Sequence, residues 1–184
     1  MRRLIPTAAL AALALGLAAP AFAAAPVEVV IGPDLAKKTK SYGAREIEYV
    51  RQWLDESATR AIERKANSPV VRADLVLADA VPNRPTFAQM GRNNQLSMLD
   101  SVGIGGAKIT GTVTTADGAV HPVSFAFYET NIQNEIGAGT WRDAQRAFDM
   151  VSSRIARGDI PQQTRMLSPT GDGQFGQRFP DRFN

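Results

Sequence analysis

The residues best suited to chemistry in this chain cluster between positions 79 and 107. The stretch holds two carboxylates, Asp79 and Asp100, and an Asn83-Arg84 pair between Pro82 and Pro85. Ser101 and the glycines Gly103, Gly105 and Gly106 follow. Each type allows a particular function. Two converging aspartates can share acid and base work or hold a hard cation such as Ca²⁺. Spaced glycines can align backbone N–H groups around an anion. An Asn-Arg tip stiffened by prolines is rigid, polar and, by residue type, exposed, a shape that can grip a partner. A loop this long inside a compact domain is more often functional than a plain connector.

Competing structural readings limit these options. A dinucleotide or phosphate loop needs its glycines to open a helix after a strand. Here a strand follows, and Lys108 stands where a further spaced glycine is required. A bulge or tight crossing before that strand is the simpler account. Asp79 ends a strand, where aspartates commonly cap turns or pair with a neighbouring arginine, and Arg84 is near in sequence. His121 can serve as a base only if Ser101 or Ser124 meets it, and the Gly-x-Ser-x-Gly elbow is absent. The chain has no cysteine and one histidine, which removes thiol chemistry and iron–sulfur clusters and leaves a zinc site short of ligands. No residue is assigned a catalytic role, and no cofactor or metal is expected.

The elements that must position this stretch can be read from periodicity. Residues 27–31 form a short β-branched strand closed by Gly32-Pro33, and a polar connector with Lys37, Lys38 and Lys40 follows. Residues 44–65 place Ile47, Val50, Leu54, Ala58, Ala61 and Ile62 on one helical stripe. Residues 70–81 are apolar on both faces, which fits a strand central in its sheet. Residues 107–115 and 119–128 make a hairpin. A three-residue loop with Gly118 in the left-handed position brings Ile109 opposite Phe125, Gly111 opposite Val123 and Ala107 opposite Phe127, so the apolar groups share a face. Thr140 to Asp143 resembles a capping box opening a helix with Trp141, Ala144, Phe148, Val151 and Ile155 on its stripe and Gly158 at its end. The predicted fold is one α+β domain in the order β-α-β-loop-β-β-α. About four strands form a mixed sheet with two helices on one face.

The termini add a compartment. Arg2 and Arg3 precede an apolar run to Pro20, and Ala21-Phe22-Ala23 supplies a small-x-small cleavage pattern, so residues 1–23 read as a secretory signal peptide. No cysteine follows for lipid attachment. Residues 24–160 then form the domain, and residues 161–184, rich in Gln, Gly, Pro, Ser and Arg, read as a disordered tail. Loss of Arg2 and Arg3 takes the basic count from 21 to 19 against 18 acidic residues, and no clustered basic face points to nucleic acid.

Across segments 79–86, 89–91, 96–107, 128–130 and 140–141 the chain resembles a family of small exported proteins of Gram-negative bacteria without an assigned activity. That resemblance implies a single exported domain and no catalytic residues. The functional expectation is a periplasmic (alternatively extracellular), non-enzymatic module with no membrane span after cleavage. It binds an envelope or periplasmic protein through loop 79–106, at Asp79, Asn83, Arg84, Asp100, Ser101, Gly103, Gly105 and Gly106. The alternative is a small hydrolase or metal-dependent enzyme using Asp79, Asp100 and His121.

Overall fold

The structure, a computed structural model, describes residues 26–162. The predicted signal peptide, 1–23, and residues 163–184 of the predicted tail lie outside the described residues. Strand β1 (Val27–Ile31) is followed by two short helices, α1 (Pro33–Lys37) and α2 (Thr39–Tyr42), and by the long helix α3 (Ala44–Arg64). Then come β2 (Val70–Val81), the one-turn helix α4 (Phe87–Met90), and the hairpin β3 (Gly106–Thr115) and β4 (Val120–Tyr128). A 3₁₀ turn over Ile132–Glu135 precedes the last helix, α5 (Arg142–Ala156). Where the sequence predicts a polar connector with three lysines, the chain coils into α1 and α2. Leu35 and Tyr42, both buried, draw that segment onto the domain.

The sheet runs β1-β2-β3-β4, with β1 parallel to β2 and the other pairs antiparallel. A parallel pair needs a crossover, and α3 supplies it. The fold is therefore α+β with a mixed four-stranded sheet and the two long helices on one face. Val29, Leu75, Leu77, Ile109, Val113, Val123 and Phe125 point under those helices and meet Val50, Leu54, Phe148, Val151 and Ile155. Hairpin register follows the apolar pairing. Ile109 opposes Phe125, Gly111 opposes Val123 and Ala107 opposes Phe127. Gly118 takes φ +82° at the turn, where any other residue would be strained.

Strand β2 carries an irregularity near its C-terminal end. Leu77 opposes Ile109 but Asp79 opposes Lys108, so one extra residue of β2 is accommodated between them. Such a bulge reverses which face the later residues of the strand meet. Ala80 is thereby buried, while Asp79 joins Lys108 on the face away from the long helices. Among the described residues no helix is long and apolar enough to cross a membrane.

Candidate functional site

The strand end at Val81 delivers Pro82, Asn83 and Arg84 into the domain, not out of it. Asn83 is fully buried and Arg84 only 9% exposed. The expected projecting tip is thus corrected, and the physical reason is hydrogen bonding. Asn83 N–H donates to the Thr140 carbonyl (2.7 Å), and its own carbonyl accepts from Gly103 N–H (2.7 Å). Its side-chain Oδ1 accepts from Asp143 N–H at 3.1 Å. Its Nδ2 donates both to Asp143 Oδ2, at 2.5 Å, and to Glu135 Oε2. A buried amide costs little once every donor and acceptor is used.

This node also explains the start of α5. No side chain of the helix's own N-cap, Trp141, bonds the first turn, so the capping box expected from Thr140 does not form. Asn83 caps the helix instead, from 60 residues earlier in the chain. Asp143 is consequently buried, and it also accepts from Gly105 N–H at 3.3 Å. Gly105 must be glycine because a methyl there would lie 2.7 Å from Asn83 Cγ and closer still to Oδ1. A methyl at Gly106 would meet β4 just as closely, 2.7 Å from Tyr128 Cα. The glycines are a tight crossing before the hairpin; they form no phosphate cradle at a helix start.

Glu135 and Asp143 are both fully buried beside one another. Burial, and then the neighbouring Asp143, raises the Glu135 pKa above the ordinary glutamate value of 4.5. Arg142 partly offsets this, through a 2.8 Å bond to Glu135 Oε1. With Glu129, these two are the only group of three acidic or histidine side chains among the described residues placed close enough to share a cation, their donor atoms lying within 4.8 Å of one another. Each member already has donors: Asn83 and Arg142 serve Glu135, Asn83 and Gly105 serve Asp143, and the Thr130 and Asn131 N–H groups serve Glu129. The two carboxyl groups share the Asn83 amide, and Asp143 Oδ1 has no hydrogen-bond partner among the described residues.

A carboxyl whose folded pKa is raised contributes fully below its ordinary pKa, and the contribution is lost as pH climbs toward the raised value. Glu135→Gln keeps a donor toward Asp143 and removes the ionisation. Its urea midpoint is expected to rise relative to the parent as pH increases from about 4.5. Parallel profiles from pH about 4 to 8 would show that Glu135 folds ionised.

The other predicted site residues do not assemble. Asp79 accepts from Lys38 Nζ (3.2 Å) and from the Tyr128 hydroxyl (2.9 Å), not from Arg84. Burial and that carboxylate push the Tyr128 phenol well above its usual pKa. Asp100 is exposed and accepts from Ser97 Oγ at 2.9 Å. His121 sits opposite Val113 near the hairpin turn, five positions along β3 from the Lys108 that opposes Asp79. At about 3.4 Å per residue this is a separation of roughly 17 Å, so no Asp79–Asp100–His121 constellation forms. Nor does a serine–histidine pair. Ser124 lies three residues along β4 and so on the opposite face, and Ser101 hydrogen-bonds within its own loop. The hydroxyl nearest His121 is Thr115 Oγ1, 3.4 Å away, and it donates to Asp117 (2.5 Å).

What loop 79–106 does build is a shallow groove of about 320 Å³ against residues 137–140. Arg84, Met98, Leu99, Ala138 and Thr140 line it. Leu99 is 81% exposed, and Ile136, adjoining the 137–140 wall, is 83% exposed. Sequence reasoning missed this wall and its neighbour Glu135, and read Asp143 only as part of a capping box. No family model matches the chain, and neither a curated protein nor a solved structure matches it.

Proposed function

We propose that this chain is an exported, non-enzymatic binding module that engages an envelope or periplasmic protein through loop 79–106. The observation that carries the reading is the groove between Met98-Leu99 and residues 137–140, with a large apolar side chain left in water at its edge. Buried polar groups beneath it, Asn83 and Arg84 above all, hold both walls in place. An apolar edge on a rigid frame suits recognition, because little is lost in ordering it on contact. Export rests on the charge, apolar run and cleavage pattern of residues 1–23.

The test is site-specific photo-crosslinking in intact cells, with the crosslinker at Leu99 or, as a control, at the exposed sheet residue Val71. The expected result is a discrete adduct from position 99 and none from position 71. Leu99→Glu abolishes binding while changing stability by less than about 0.5 kcal/mol, as for exposed positions generally. Equal labelling from both positions would falsify the assignment of this surface.

A further inference from the structure

Arg84 is a buried cation with no acidic partner among the described residues. Its Nε donates to the Ala138 carbonyl at 2.6 Å, and its Nη1 donates to the carbonyls of Met98 (2.6 Å) and Leu99 (2.9 Å). Three of its five N–H donors are thereby committed to backbone, which locks the guanidinium plane. Nη2 has no acceptor among the described residues, yet it is not a buried, unsatisfied atom, so solvent reaches it. No carboxylate among the described residues forms an ion pair with Arg84, whereas Arg51, Arg72, Arg142 and Arg154 each have one. The side chain lines the groove, whose remaining surface, Thr140 apart, is apolar side chain or backbone. A fixed positive group with one free donor edge, in a largely apolar groove, is complementary to an anion joined to apolar atoms.

We infer that the groove takes the C-terminal end of a partner polypeptide, its terminal carboxylate on Arg84 Nη2 and its last apolar side chain against Met98 and Leu99. The inference rests on the reading of the groove as the binding surface and names its ligand. Two observations favour a chain end over an acyl chain. A fatty acid needs an enclosed cavity that covers most of its length, and about 320 Å³ of open groove does not provide one. Gly137 and Gly139, exposed on the facing wall, present backbone N–H groups that bond no backbone carbonyl among the described residues, and such groups suit capture of a terminal carboxylate.

The experiment uses the purified protein and labelled heptapeptides ending in Ala, Val, Leu or Phe, each as free acid and as C-terminal amide, followed by fluorescence anisotropy. The acid of the best sequence is expected to bind at least about tenfold more tightly than its amide, the size of a charge-assisted hydrogen bond. That preference shrinks in Arg84→Lys, whose ammonium cannot keep all three carbonyl bonds and still face the groove. Because the acid–amide comparison is made on the unaltered protein, a variant that folds poorly leaves the test intact. Equal affinity of acid and amide overturns the inference. So does failure of every peptide when Leu99 still crosslinks to a partner, and in that case the binding surface itself stands. Octanoate competing as strongly as the peptide would assign the site to acyl chains instead. A tenfold gain in peptide affinity on removing residues 163–184 would assign it to the protein's own C-terminus.

Discussion

Asn83→Ala is expected to destabilise the domain by about 3–5 kcal/mol, one of the two largest single effects the structure implies. The substitution leaves several buried groups without their partner at once. Glu135 Oε2 and Asp143 Oδ2 each lose a donor, Asp143 N–H loses its acceptor, and α5 loses its cap. Unmatched buried charge is the costly part, since water cannot reach two carboxyl groups that are fully enclosed. Urea unfolding followed by tryptophan fluorescence measures the loss, because Trp141 packs edge-on to Tyr42 at the head of α5 and Trp53 packs against the same core. Asn83→Asp is expected to be worse at pH 7 and to recover partly in acid, because it adds a third carboxyl to the pair. A loss below about 1 kcal/mol in Asn83→Ala would mean that water replaces the amide and that the node is not closed.

The same residue shows where the sequence was readable and where it was not. Elements whose signal is local came through: the stripe of Ile47, Val50 and Leu54, the span Val70–Val81, and the hairpin register set by Gly118 and the pairing of Ile109 with Phe125. In each case a period or a turn preference acts within a few residues. Asn83 and Arg84 carry no such signal. Between two prolines they look like a polar tip, since Asn and Arg are mostly exposed. What buries them is a set of partners 14 to 60 residues away, among them Met98, Leu99, Glu135, Ala138 and Asp143. Glu135 was equally invisible, lying in a polar stretch without periodicity. Asp143 did give a signal, as a helix-start carboxylate, but the capping partner came from across the fold and not from Thr140. The glycines before the hairpin were the more useful hint. Glycine before a strand, with no helix to open, marks a close approach, and here the approaching group is the Asn83 amide.

That close approach yields the second large effect. Gly105→Ala places a methyl 2.7 Å from Asn83 Cγ and 2.8 Å from Nδ2, with Oδ1 nearer still. Elsewhere such crowding is relieved by swinging the neighbouring side chain aside. Asn83 cannot swing, because all of its polar atoms are engaged and each alternative rotamer strands a buried carboxyl. A loss of about 3 kcal/mol is expected, at the upper end for one added methyl in a packed interior. The decisive measurement is the double variant. In Asn83→Ala the three crowding atoms are gone, so the methyl at 105 enters vacated space and adds little further loss. The pair should therefore be less destabilised than the sum of the single changes by about 1–3 kcal/mol, the coupling of residues in direct contact. Additive losses would show that the methyl collides with something other than Asn83. The glycine would then serve the crossing of β3 and not the amide node at the head of α5.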